Sequence, residues 1–193
     1  MISPIVLEAV AVIAGILCVW LQTKEDIRAW PFGILSVILY VYIFHENYLY
    51  SDMILNAIYI ILNIYGWWNW SRRKTEVKSE VPVQTISSQG HIILVVIIIV
   101  GTAIWGWNME HFTRAQFVYY DAFTTVGSLV AQYLLAKKYL ENWYVWIIVD
   151  LVAIPVYLAK GLHLTALLFG VYLALCIYGL LQWKKQLKPV ASL

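Results

Sequence analysis

Two stretches decide the fold: IYGWWNWSR (Ile64–Arg72) and IYGLLQWKK (Ile177–Lys185). Both read Ile-Tyr-Gly-x-x-x-Trp-x-[Arg/Lys], and both close a long apolar run. Laid on one another they set an offset of 113 residues (Ile64 onto Ile177) that carries outward without a gap. Trp30 falls on Trp143, Tyr59 on Tyr172, Lys24 on Lys137, and Glu8-Ala9 on Asp121-Ala122. Single identities in apolar sequence weigh little. A shared helix ending in Trp and a basic residue weighs more, because it is how a membrane span ends at the headgroups.

Composition agrees. Of 193 residues 62% are hydrophobic and 12% charged, with a mean hydropathy of +0.75. A soluble domain carries about 25% charged residues, so the solvent of this chain is a bilayer. Cys18 and Cys176 both lie in apolar runs, which offers neither a disulfide framework nor metal-ligand spacing; both read as small core residues. The start, MISPIVLEAV, has no basic residue before the first apolar run, so that run is expected to stay as a helix.

Seven apolar stretches follow: Ile5–Gln22, Trp30–Phe44 with an extension toward Tyr48, Met53–Trp70, His91–Trp107, Tyr120–Ala136, Trp143–Leu158 and Leu164–Trp183. Most approach the roughly 20 residues a helix needs to cross the hydrocarbon. Trp30, Trp70, Trp107, Trp143 and Trp183 stand at their ends, as interfacial anchors would. Lys24, Arg28, Arg72, Arg73, Lys74, Lys78, Lys137, Lys138, Lys184, Lys185 and Lys188 gather on one side, leaving only Arg114 and Lys160 on the other. The positive-inside rule then puts the N-terminus outside and the C-terminus in the cytoplasm.

The fold class expected is an all-α membrane protein with seven transmembrane helices. A first three-helix repeat occupies residues 1–70 and a second, with a basic tail, residues 120–193. Residues 71–119 hold a polar link and one linking helix, and that single helix makes the two triplets parallel. This 3+1+3 plan is the one of SWEET-like transporters, which bind substrate near mid-membrane between the halves. The link Ser71–Gly90, with Pro82 and several Ser, reads as a cytoplasmic connection and nothing more.

Polar residues inside spans mark the candidate site. Asp150 lies two turns into the sixth span, and its mate in the first repeat is Val37, so duplication did not require an acid there. The plainer reading is an Asp bonded to a neighbouring helix. Trp143, Trp146 and Asp150 stand at i, i+3 and i+7 on one helix face. Two indoles and a carboxylate form a cage for an organic cation. Trp146, whose mate is Gly33, is the sharper candidate; Trp143 repeats Trp30 and could be an anchor. The fifth span carries Asp121, Thr125, Ser128 and Gln132 on one face with Thr124 beside them, able to bind hydroxyls or an amide, or simply to bond helix to helix. Asp121, mirrored by Glu8 at a helix start, reads as structural. On the third span Asn56, Tyr59, Asn63 and Trp67 form another face, and Tyr172 repeats Tyr59 on the seventh.

The runs NIYGWWNW (Asn63–Trp70), KKYLENWYVWIIVD (Lys137–Asp150) and KGLHLTALL (Lys160–Leu168) resemble the Pnu-type vitamin transporters, best known for nicotinamide riboside uptake. The resemblance covers nearly the whole chain, and the Trp-x-x-Trp element flanked by Glu141-Asn142 is its most specific part. It implies seven helices arranged 3+1+3, an N-terminus outside and a homotrimer in the inner membrane. It also implies facilitated diffusion without an ATPase, followed by trapping through a cytoplasmic vitamin kinase. Carried over by motif, the ligand would meet Trp143 and Trp146, with Gln132 and Asn63 as polar partners. One departure bears on the ligand: riboside carriers have Asn where this chain has Asp150. Thiamine, carried by other members and also an aromatic cation, is the alternative.

Other functions fit less well. A retinal protein needs a Lys within the last span, and Leu164–Trp183 has none. An enzyme needs clustered nucleophile, base or metal ligands, whereas His45, His91, His111 and His163 all lie near span ends. There is no Gly-rich Lys-Ser/Thr phosphate loop for ATP drive. No cofactor, metal or nucleic-acid partner is expected. A small-sugar carrier of the same architecture remains, distinguished by having no need of Asp150 with Trp146.

Overall fold

The computed structural model describes residues 4–48, 50–76, 82–112 and 117–187. Seven helices follow one another: α1 (Pro4–Thr23), α2 (Ala29–Glu46), α3 (Tyr50–Glu76), α4 (Ser88–Phe112), α5 (Val118–Ala136), α6 (Glu141–Ala159) and α7 (His163–Gln186). They keep to the expected stretches, with α3 and α4 running several residues further. Lys78, Arg114 and Lys188, used above to orient the chain, lie outside the described residues. By length and composition α1, α2, α4, α6 and α7 can each cross a membrane. The polar residues of α3 (Asn56, Asn63, Asn69) and α5 (Asp121, Thr124, Thr125, Ser128, Gln132) dilute their apolar content, so these two fall short of the same measure.

The chain divides into two compact units, Met1–Pro82 and Val83–Leu193. In the first, α2 packs against both α1 and α3. Small residues bring α1 and α2 close: Ala11, Ala14 and Ala29 are buried, and the Ser36 hydroxyl donates to the Ala11 carbonyl at 2.8 Å. In the second unit α6 packs against α5 and α7, and α4 against α5. Its core is Ala131, Leu134, Val145 and Val149, flanked by Ile86, Leu94, Ile98, Phe123 and Trp146. Along α4 only Gly106 is buried, while Ile92, Ile99 and Ile104 are exposed, a surface for hydrocarbon rather than water.

The Ile-Tyr-Gly-x-x-x-Trp ending has a packing explanation. In the first unit the Trp30 indole fills the space where Gly66 lacks a Cβ, and Trp70, one turn on, meets it edge-to-face at 5.1 Å and 88°. In the second, Trp143 lies on Gly179, where a Cβ would be 2.7 Å from its ring, and Trp183 meets it at 5.4 Å and 87°. All four indoles are 3% exposed or less. The expectation that Trp30, Trp70, Trp143 and Trp183 anchor the chain at the interface is therefore corrected: they are core. Both interface and core favour Trp at a helix end, and only the glycine one turn before distinguishes them. Trp107, by contrast, is 55% exposed.

The turns match as well. Lys24, Glu25 and Asp26 donate to Leu21, Gln22 and Leu21, just as Lys137, Lys138 and Tyr139 donate to Leu134, Leu135 and Leu134. Glu25 (φ 54°) and Lys138 (φ 60°) share a left-handed backbone, as do Tyr48 (φ 60°) and Gly161 (φ 75°).

The link is more than a connection. Its residues before α4 run beside the α5–α6 turn: the Gln84 N–H donates to the Lys138 carbonyl at 3.0 Å, and the Leu140 N–H donates to the Gln84 carbonyl at 2.8 Å. Val83 is buried, and the Ile86 N–H donates to Glu141 Oε1 at 3.1 Å. Glu141 thus ties this strap to the first turn of α6, with His91 Nε2 at 3.4 Å from the same oxygen.

Candidate functional site

In the second unit, α6 carries the sharpest candidates. Asp150 is 1% exposed. Its carboxylate is hydrogen-bonded by the Cys176 thiol of α7, and Oδ2 has no partner among the described residues. None of the ion pairs between described residues includes it. An acidic group held this way in an apolar helix is costly unless something positive comes to it. Cys176, read from sequence as a small core residue, is core and also the neighbour that orients Asp150. Its mate in the first half is the polar Asn63, the one signal that could have singled it out.

The two indoles of the expected cage stand in different surroundings. Trp143 is buried against Gly179 and Trp183 on α7, its Nε1 without a partner among the described residues. Trp146 is half-buried against the Ala131–Leu134–Val145–Val149 cluster and keeps exposed surface. Trp146 is therefore the indole with exposed surface, and Trp143 the one that fixes α6 on α7.

On α5 the hydroxyls are partly engaged at home. Thr124 Oγ1 donates to the Asp121 carbonyl and Ser128 Oγ to the Thr125 carbonyl, both at 2.9 Å, a pattern of Ser and Thr inside helices. Thr125 is half-buried and Gln132 buried at 6% exposure. Asp121 accepts Lys160 Nζ on both oxygens at 2.8 Å, joining the start of α5 to the α6–α7 turn. Its structural reading has a concrete partner. Tyr172 on α7 stacks edge-to-face with Phe169 at 6.1 Å.

In the first unit, Asn63 is 3% exposed. Its Nδ2 donates to the Tyr59 carbonyl at 2.7 Å, and its Oδ1, with no partner among the described residues, faces Gly33. A Cβ at Gly33 would come within 2.5 Å of that oxygen and 2.9 Å of Cys18 Sγ. Tyr59 and Asn56 are half-buried and Trp67 is 42% exposed. Asn63 Oδ1 is thus a buried acceptor with no partner among the described residues of the first unit, as Asp150 Oδ2 is in the second.

Residues 5–185 match the family described as nicotinamide mononucleotide transporter. The nicotinamide riboside transporter PnuC of Neisseria mucosa is 30% identical over 194 residues, 94% of this chain and 73% of that one. The riboflavin/roseoflavin transporter RibM of Streptomyces davaonensis is 26% identical over 180 residues, 91% of this chain and 83% of its own. A crystal structure of the vitamin B3 transporter PnuC superposes with a TM-score of 0.75 at 31% identity, covering 93% of this chain and 81% of that one.

Proposed function

Because the chain belongs to the nicotinamide mononucleotide transporter family, a family of multi-pass membrane carriers and not of enzymes, we propose that it takes up a cationic aromatic vitamin, nicotinamide riboside first and thiamine second. The observation that carries this reading is Asp150, a buried carboxylate with one unsatisfied oxygen on the helix that also bears Trp146. A positive aromatic ring satisfies both groups at once, by charge with the carboxylate and by face contact with the indole. Gln132, Asn63, Ser128, Thr125, Tyr59, Trp67, Tyr172 and Trp143 complete the proposed set. The relative of Neisseria mucosa, named for nicotinamide riboside, supports the first choice. Transport is by facilitated diffusion, and a cytoplasmic kinase retains the product.

The architecture proposed with it is 3+1+3, with residues 1–70 and 120–193 as parallel repeats and α4 as the linking helix. The matched Trp–Gly–Trp packing and the matched turns support it. The N-terminus outside, the C-terminus in the cytoplasm and a homotrimer belong to the same proposal; the one-sided basic residues favour that orientation.

Calorimetry on the purified chain tests the ligand, with nicotinamide riboside, thiamine and uncharged riboflavin side by side. One of the two cations should bind tightly, riboflavin weakly, and Asp150→Asn should weaken the cation alone. Riboflavin bound more tightly than either cation overturns the reading. A sugar carrier would bind none of the three.

A further inference from the structure

Asp150 raises a question of charge that the ligand alone does not answer, since the carrier must also exist empty. Of the helices packed on α6, α7 brings one ionisable group to the carboxylate, the Cys176 thiol, which covers one oxygen as a neutral donor. The other helix, α5, brings none: its acid Asp121 is held by Lys160, ten residues beyond Asp150 and about 15 Å further along the axis of α6. No Lys, Arg or His among the described residues pairs with Asp150. The burial is 99% complete, yet Oδ2 has no donor. An ionised acid so placed lacks the compensation that buried charges require.

We propose that in the empty carrier Asp150 holds one small monovalent cation from solution, a proton or a sodium ion, and that the arriving vitamin cation displaces it one for one. The inference rests on the cationic-vitamin reading and adds to it a competition for the same carboxylate; the displaced cation returns to the side from which the vitamin binds, so the step by itself couples no counter-ion to the facilitated diffusion. The balance closes: one positive charge leaves as another arrives, and the Cys176 S–H bond is unchanged. A proton needs only the single unsatisfied oxygen. A sodium ion would draw further oxygens from water, because a thiol is a poor ligand for a hard cation. Val37, 113 residues before Asp150, offers no acid at the corresponding position of the first half.

The test is calorimetry of the intact chain with nicotinamide riboside and thiamine as probes. Titrations run across pH, in buffers of different ionisation enthalpy, and in sodium chloride against the chloride of the bulky, strongly hydrated N-methylglucamine. If a proton is displaced, affinity rises up to tenfold per pH unit and one proton is released per vitamin bound. If sodium is displaced, affinity falls up to tenfold for each tenfold rise in sodium. Cys176→Ala should keep the dependence, and Asp150→Asn should remove it. Tight wild-type binding indifferent to both pH and sodium overturns the exchange while leaving the cationic-vitamin reading in place. Failure to bind either vitamin removes that reading and the exchange with it.

Discussion

Replacing Gly179 by Ala puts a single methyl group where the structure has room for none. A Cβ there lies 2.7 Å from Cη2 and Cζ2 of Trp143 and 2.8 Å from Cε2. The indole cannot retreat cheaply, since it is 1% exposed and Trp183 stands edge-on at 5.4 Å. Overpacking of this kind costs about 1–3 kcal/mol, and a rigid ring held by a second ring belongs in the upper half. Alanine in place of a helical glycine returns about 1 kcal/mol, so the net loss is about 1–2 kcal/mol. For a chain of this length that lowers the melting temperature by about 2–8 °C. Gly170, on the same helix with nothing within 4 Å of its Cβ position, is the comparison. Gly170→Ala should gain up to about 1 kcal/mol from helix propensity alone.

Thermal unfolding in detergent, followed by tryptophan fluorescence, measures both. Trp143→Leu combined with Gly179→Ala should cost less than the two singles summed, by about 0.5–3 kcal/mol, the coupling expected of touching groups. Gly66→Ala, against Trp30, should lose at least as much as Gly179→Ala. Equal shifts at Gly179 and Gly170, or a strictly additive double variant, would refute the packing explanation of the repeated motif.

Trp146→Ala should weaken cation binding by about tenfold or more and, being only half-buried on its core cluster, should cost less stability than Trp143→Ala, which should lose about 3–5 kcal/mol; calorimetry and thermal unfolding on both variants separate a ligand contact from a core residue. Lys160→Ala leaves the half-buried Asp121 without its 2.8 Å partner and should cost about 1 kcal/mol, recovered in part by exchanging the two residues. Glu141→Ala removes the acceptor of the Ile86 N–H, at a cost of about 1–3 kcal/mol. Hydrogen exchange over residues 83–87 should quicken in that variant and stay slow in Glu141→Gln, which retains an acceptor.

The helices were legible because what makes them is local: seven apolar runs and the basic residues between them. The doubled Ile-Tyr-Gly-x-x-x-Trp ending could also be seen, but not its meaning, because Trp suits an interface and a core equally. The strap was hidden for a different reason. Pro82, Ser87 and Ser88 look like loop, and the group that fastens the segment, Glu141, bonds a backbone N–H 55 residues away, a partner no side-chain pattern reveals. Asp150 stood out as an acid in an apolar helix, yet its contact with Cys176 lies between two helices and needed the fold. The polar faces of α3 and α5 were visible, and the same Asn, Thr and Gln residues that mark them keep those helices below the apolar content of their neighbours.

The proposed duplication explains the scaffold and, by its failures, points to the chemistry. Trp30 and Trp143, Gly66 and Gly179, Trp70 and Trp183 are kept at equivalent positions and do equivalent packing. So are Glu25 and Lys138, which differ in charge but share a left-handed turn. Most of the candidate ligand groups have no such mates: Asp150 faces Val37 in the alignment, Trp146 faces Gly33, Gln132 faces Val19 and Ser128 faces Gly15. Gly33 is itself required, since a side chain there would strike Asn63 Oδ1. An indole at the first-half position is thus excluded by the same contact that buries Asn63. A symmetric cage of two Trp–Asp pairs is sterically closed to this chain, so in the proposed site the carboxylate and the open indole both come from the second half. That asymmetry is what a single, oriented aromatic cation requires.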